Sequence, residues 1–208
     1  MKKVLLLLSG GFDSAVACKL LQEKKFQVIG LHLSNSQFSG NESIQKTQKL
    51  AELLKIELFT EDISNELSKI ASVCDHKYYF VLMKRFFLQK ASTLAKKENC
   101  FAIATGESLA QVSSQTLENL KVIDQATDFQ VLRPLIALNK ETIINLAKKF
   151  QTHDISIGKE YCDVLGPKHP STKARLEVIL KEESKLKSNE NQTQPIILSK
   201  GHCDNRKT

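Results

Sequence analysis

The chain has 208 residues, 41% of them apolar and 25% charged, enough for one soluble domain with a sizeable core and too few for two full ones. A net charge of +7 and a pI near 9.1 favour an anionic partner such as nucleic acid or a nucleotide, although basic surfaces are often merely solvated. The five cysteines, Cys18, Cys74, Cys100, Cys162 and Cys203, form no C-x-x-C pair, which argues against a zinc site or a disulfide framework.

Lys2 and Lys3 precede a continuous apolar run over 4–8 that stops at Ser9. That run is too short for a signal-peptide core, and no other stretch could span a bilayer, so a cytoplasmic protein without membrane association is expected. The run itself reads as a strand buried on both faces. Asp13 or Ser14 then caps a helix whose apolar positions Ala15, Val16, Ala17, Leu20 and Leu21 recur at helical spacing. A second strand is predicted over 26–33, a polar loop over 34–43, a helix over 43–55, a short strand over 56–60 and a helix over 62–71. A long helix over 79–98 leads into a strand over 100–106. A helix over 114–126, an extended stretch over 129–135 ending at Pro134, and a helix over 139–150 capped by Asn139 follow. Strands alternating with helices of this length predict an α/β domain, a parallel twisted sheet with helices on both faces. That domain is expected over residues 1–183. From Ser184 the text turns polar and aperiodic, so 184–208 reads as linker and C-terminal tail, with one short extended piece near 195–199.

Between the first strand and first helix lies "SGGFDS", residues 9–14. Strand, glycine-rich turn and helix form a phosphate cradle, because the helix N-terminus presents free N–H groups. The Walker pattern fails for want of a lysine after Gly11, and the Rossmann glycine pattern is absent. Gly10 and Gly11 let the backbone approach a pyrophosphate, and Ser9 and Ser14 offer hydroxyls. An acid in an anion site is puzzling until a metal is considered: Asp13 can hold Mg²⁺ against the phosphate.

These six residues resemble the signature of the PP-loop ATP pyrophosphatases, which split ATP between its α and β phosphates and transfer AMP to a substrate oxygen. The stretches "TGESLAQVSSQTLENL" (105–120), "VLRPLIALNKETIINLAKK" (131–149) and "EYCDVLGPKHPST" (160–172) narrow the likeness to the tRNA 4-thiouridine synthetases, over roughly residues 3–180. Those sulfurtransferases also serve thiamine thiazole synthesis. The resemblance implies the adenine nucleotide alpha hydrolase-like fold, ATP and Mg²⁺ as cofactors, and tRNA as partner. It places ATP along the ends of the first, second and fourth strands. Leu7 and Leu8 then offer backbone to the nucleotide, together with Ser9, Gly10, Gly11, Asp13 and Ser14. His32 and Leu33 border the adenine, and Lys84, Gly106 and Gln115 complete the nucleotide contacts. Lys140 matches the family's catalytic lysine, where a fixed cation stabilises charge as pyrophosphate leaves. Ala110 stands where the family usually has glycine.

Cys162 matches the cysteine with which the family handles sulfur. The implied reaction adenylates O4 of a tRNA uridine; a persulfide sulfur then attacks C4 and AMP departs. Asp13, Lys140, Cys162 and Cys203 form the expected catalytic set, with Cys203 as the resolving or persulfide-bearing thiol of the disulfide version. The family's partner cysteine sits in a rhodanese domain in one branch, and no such domain is expected after residue 180. Phe80 and Met83 occupy the positions of a C-x-x-C that helps hold an iron–sulfur cluster in another branch, so a cluster on that pattern is not expected. Nor is a tRNA-gripping THUMP region expected ahead of Val4. The expected partners are therefore tRNA, a cysteine desulfurase or other persulfide donor, and in one alternative a separate THUMP-bearing chain; a homodimer, common in the family, stays open. Lys84, Arg85, Arg133, Lys168, His169, Lys173 and Arg175 are candidates for an RNA-phosphate surface. The competing readings are a PP-loop enzyme that thiolates or adenylates another substrate, and a nucleotide-binding module without chemistry. A thiamine relay through a small acceptor protein ranks below both.

Overall fold

The structure, a computed structural model, describes residues 1–109, 111–157, 164–187 and 199–200. Its centre is a sheet built on β1 (Lys3–Leu7), β2 (Gln27–Ser34), β3 (Leu58–Asp62), β4 (Ala102–Ala104) and β5 (Val131–Leu132), all parallel, in the order β5-β4-β1-β2-β3. A two-residue strand, β6 (Ser199–Lys200), adds antiparallel to the outer edge of β3, so the expected all-parallel sheet holds for five of its six strands.

Alternation along β1 sends Leu5 and Leu7 to one face and Val4 and Leu6 to the other, and each face is covered. Behind the first face lie α4 (Ser64–Val73), α5 (Tyr79–Lys97), α6 (Leu117–Asp124) and α9 (Leu176–Lys187). Behind the second lie α1 (Phe12–Glu23), α3 (Glu42–Leu54), α7 (Lys140–Lys149) and the single turn α8 (His153–Ser156). In α3 the buried positions Thr47, Leu50, Ala51 and Leu54 follow the helical repeat. Asn139 caps α7 as expected, its side chain accepting from the Thr142 N–H at 2.8 Å.

Four local differences have physical causes. β3 starts at Leu58 rather than 56, because Lys55 turns left-handed (φ 54°) and Ile56 N–H bonds back to Ala51, so residues 55 and 56 finish the helix before them. The polar loop over 34–43 contains one turn, α2 (Ser36–Ser39), whose first N–H is held by Asp62 at 3.0 Å. The turn α8 had no sequence prediction. Nor had α9, which runs to Lys187 and so into the stretch read as linker. Arg85 on α5, 2% exposed, binds Glu183 of α9 through Nε at 2.6 Å and Nη2 at 3.1 Å, and its Nη1 donates to the Val122 carbonyl. Lys69 Nζ donates to the Leu186 carbonyl at 2.8 Å.

Arg85 is thus a buried cross-brace, which removes it from the candidate RNA-facing set. Breaking a buried pair leaves the remaining charge poorly solvated, and Glu183 is only partly exposed. Arg85→Met should lower unfolding free energy by about 3 kcal/mol in urea titration. An unchanged midpoint would show that α9 is not braced by this pair.

Candidate active site at the carboxyl edge of the sheet

The chain leaves β1 toward β2 and β3, then returns to place β4 and β5 on the other side of β1. This reversal makes the carboxyl ends of β1 and β4 the topological switch point, where open parallel sheets bind ligands. A cavity of about 430 Å³ opens there. Ser9, Gly11, Asp13 and Ser14 line it from the loop after β1; Phe80, Met83, Lys84 and Phe87 from α5; and Gly106, Glu107, Gln111 and Gln115 from the loop after β4. Leu7 also contributes.

The first loop makes its turn at Gly10, whose φ of +89° suits glycine; a Cβ there would also lie 3.1 Å from the Thr47 hydroxyl. Gly11 occupies the N-cap of α1 in extended conformation, with no side chain capping the helix. The expectation that Asp13 or Ser14 caps α1 is therefore corrected: both lie inside its first turn. The Ser14 hydroxyl is drawn back to the Gly11 carbonyl at 3.1 Å and lies 3.2 Å from both the backbone N and the hydroxyl of Ser9. The helix thus opens toward the cavity with its N-terminal amides uncapped by any side chain, the geometry that attracts a phosphate.

Gly106 has a reason that sequence alone did not supply. A Cβ there would stand 2.6 Å from both the Asp13 carbonyl carbon and the Ser14 nitrogen. The end of β4 therefore packs directly on the first turn of α1, bringing both ligand loops to one wall of the cavity.

A chain of alternating charges runs from the cavity. Lys84 Nζ donates to Glu107 Oε1 at 2.6 Å, Arg133 Nε to Glu107 Oε2 at 2.8 Å, and the Thr105 hydroxyl to Oε2 at 3.0 Å. Arg133 in turn grips both carboxylate oxygens of Asp124, so it too is engaged internally rather than presented to RNA. Burial alone would raise the Glu107 carboxyl, but Lys84 and Arg133 outweigh it and hold the group down to about 2. The sequence does not announce the pairing of Glu107 with Arg133. The two meet only because Ala104 pairs with Leu132 across β4 and β5, so nothing local announces them.

The predicted nucleotide residues divide. Leu7, Ser9, Gly11, Asp13, Ser14, Lys84, Gly106 and Gln115 share the cavity; Leu8, Gly10, His32, Leu33 and Lys140 do not line it. Leu8 does not offer free backbone: its N–H goes to Leu31 at 2.9 Å and its carbonyl accepts from His32 Nδ1 at 2.9 Å. His32 is 3% exposed, and burial lowers its pKa against the opposing Leu8 carbonyl, which keeps the ring neutral. Its Nε2 is buried without a hydrogen-bond partner, as are both amide atoms of Asn35 just beyond β2. Lys140 is exposed at the first position of α7, which packs beside α1.

Cys162 and Cys203, like Ala110, lie outside the described residues. The two-residue strand β6 pairs Ser199 with Thr60 and Lys200 with Phe59. Cys18 and Cys100 are core residues. Cys74 joins them, its thiol facing the Glu182 carbonyl; burial pushes the Cys18 thiol to about 12 and the Cys74 thiol to about 11, so neither is a ready nucleophile. Among the described residues no helix is long and apolar enough to cross a membrane.

Two outcomes follow from this geometry. Gly106→Ala must force the two loops apart and should cost about 2 kcal/mol in chemical denaturation; a loss below about 0.5 kcal/mol would show that they separate freely. Glu107 has a folded-state pKa below its ordinary 4.5, so its contribution is full above that value and fades as pH falls toward about 2. That contribution is about 3 kcal/mol when full. The stability gap between wild type and Glu107→Gln should therefore narrow in urea titrations taken from pH 6 down to pH 3.5 (roughly one unit below the ordinary value). A gap independent of pH would contradict the ion-pair account.

Residues 1–188 match the protein family described as "Thiamine biosynthesis protein (ThiI)". Similar curated proteins include the "Probable tRNA sulfurtransferase" of Halothermothrix orenii, 37% identical over 193 residues, covering 89% of this chain and 49% of the relative. That of Mycoplasmopsis synoviae is 40% identical over 191 residues, covering 88% and 51%. The chain thus spans about half the length of the curated relatives it matches. Among solved structures, a 4-thiouridine synthetase–RNA complex with bound ATP aligns with a TM-score of 0.85 at 28% identity, over 90% of this chain and 51% of that one. NMN synthetase from Francisella tularensis shares the fold, with a TM-score of 0.60 at 17% identity over 93% of this chain and 89% of its own.

Proposed function

The chain belongs to the thiamine biosynthesis protein (ThiI) family, and from that premise we propose that it is the ATP-splitting, sulfur-transferring part of a tRNA sulfurtransferase that makes 4-thiouridine. The observation that carries this reading is the α1 N-terminus, uncapped and opening on a cavity at the sheet's switch point. On this reading the β and γ phosphates of ATP sit on the amides of the first turn, with the Ser9 and Ser14 hydroxyls beside them. Among the described residues no cluster of three or more His, Cys, Asp or Glu could hold a metal. Mg²⁺, which readily takes most of its ligands from phosphate and water, fits such a site, with Asp13 as the protein ligand; bound there it would offset the charge of the pyrophosphate. Lys84 and Gln115 hold the nucleotide from the far wall. The buried, unpartnered Nε2 of His32 suits a hydrogen bond near the adenine, beside Leu33.

The chemistry then runs in two stages. The uridine O4 attacks the α-phosphorus, the α–β bridge breaks, and pyrophosphate leaves while Lys140 neutralises the developing charge. A persulfide carried on Cys162, loaded by a cysteine desulfurase or similar donor, supplies the sulfur. The thiolate of Cys203 attacks the inner sulfur of that persulfide, forming the Cys162–Cys203 disulfide and releasing sulfide. The sulfide bonds to C4 and AMP departs with the former O4; a thiol reductant then restores both cysteines. Gly166 supports the placement of Cys162. Its Cα packs so closely on the Phe80 ring that a Cβ would stand 2.2 Å from it, and Phe80 lines the cavity. Cys162 is four positions earlier, within about 14 Å of that contact even fully extended. For RNA, the exposed Lys168, His169, Lys173 and Arg175 remain as phosphate contacts beside the site. A THUMP-bearing partner chain and a homodimer are compatible with this reading.

The test is a reaction with ATP, Mg²⁺, a persulfide source and unmodified tRNA, followed by nucleoside mass spectrometry and nucleotide analysis. The expected products are AMP, pyrophosphate and 4-thiouridine. Cys162→Ser should abolish thiolation while AMP still forms, and Lys140→Met should slow AMP formation by about a hundredfold or more. Release of ADP would refute the PP-loop chemistry, and AMP without a thiolated base would refute the tRNA substrate.

A further inference from the structure

Asn119, in the first turn of α6, is fully buried and uses its side chain on two separate segments. Its Nδ2 donates to the Ser113 carbonyl at 2.8 Å and to the Ser171 carbonyl at 2.8 Å, while Oδ1 accepts from the Ala174 N–H at 2.9 Å. Two carbonyls on one side and an N–H on the other fix the amide's orientation, because the flipped form would set oxygen against two oxygens. Beside it, the Thr116 hydroxyl donates to the Thr172 carbonyl at 2.7 Å and accepts from the Asn119 N–H at 3.2 Å. One end of this clamp is Ser113–Gln115, a single 3-10 turn whose residues line the cavity. The other is the stretch 171–174, which follows the Cys162 region in the chain and is tied to the 3-10 turn just before α5 by the Ser171 N–H on the Lys77 carbonyl at 2.8 Å.

We propose that Asn119 is a positioning residue that couples the nucleotide loop to the segment following Cys162. Resting on the nucleotide reading above, ATP that orders Ser113–Gln115 orders 171–174 through the Asn119 amide. Filling of the ATP site and ordering of 171–174, the stretch that follows Cys162 in the chain, are then one event rather than two. Both donors of Asn119 are spent on the clamp, one on each segment, and its acceptor holds the second segment again at Ala174.

Hydrogen exchange followed by mass spectrometry, with and without a non-hydrolysable ATP analogue, tests this without requiring turnover. In the wild type the analogue should slow exchange both in 105–116 and in 171–176. Asn119→Asp keeps the size but replaces the double donor with an acceptor facing two carbonyls. Thr116→Val removes the neighbouring link to Thr172 together with the cap of α6, leaves the Asn119 amide in place, and serves as the milder variant should Asn119→Asp unfold. Both should keep protection in 105–116 and lose about fivefold or more of it in 171–176, the range of a typical coupling energy. Thr116→Ser keeps both hydroxyl bonds and should restore the wild-type pattern, while exchange within 117–124 measured without the analogue reports separately any loss of the α6 cap. Protection at 171–176 that persists in folded variants, or is missing in the wild type while present at 105–116, overturns the coupling and leaves the nucleotide reading intact. Absence of protection at 105–116 in the wild type overturns the nucleotide reading and this proposal with it.

Discussion

The end of β4 rests on the first turn of α1 with no side chain between them, and the rest of the site depends on that contact. Gly106 permits it: any Cβ would sit 2.6 Å from the Asp13 and Ser14 backbone. With the two backbones in contact, the loop carrying Ser9–Ser14 and the loop carrying Glu107–Gln115 become walls of one cavity. The start of α1, which no side chain caps, then faces the same space as Lys84 on α5. Separated by a methyl group, the two loops would be two half-sites on neighbouring strands.

Charge is arranged around that contact with equal economy. A site of the proposed kind, for a polyanion, needs cations, yet cations held near one another repel when no anion lies between them. Glu107 resolves the conflict by holding Lys84 and Arg133 together, and Asp124 balances Arg133 on the outer side. The carboxylate is buried but doubly paired and hydrogen-bonded by Thr105, so it remains ionised where an isolated buried acid would not. Arg85 does a comparable task farther from the cavity, using a buried guanidinium to fasten α9 to α5.

What the sequence reveals of this site follows the range of the interactions. The loop over 9–14 is legible because its chemistry is local: two glycines, two hydroxyls and an acid between a strand and a helix. The long α5 and the Asn139 cap of α7 are legible for the same reason, and so is the parallel core. α9 was not, because its mixed polar sequence becomes a helix through Arg85 and Lys69, which lie about a hundred residues away in the chain. The Glu107–Arg133 pair exists only once β4 and β5 align, and the Asn119 clamp only once α6 meets residues 171–174. The capping role first given to Asp13 and Ser14 went to Gly11, since the turn at Gly10 brings the chain into helix earlier than side-chain preference indicates.

The most direct measurement is a crystal structure of the protein with Mg²⁺ and an ATP analogue whose α–β bridge is a methylene. The account predicts its β and γ phosphates on the backbone of residues 9–14 at the start of α1, with Lys84 turned from Glu107 toward the nucleotide. Phosphates bound elsewhere on the sheet edge, with the first turn of α1 left empty, would contradict it.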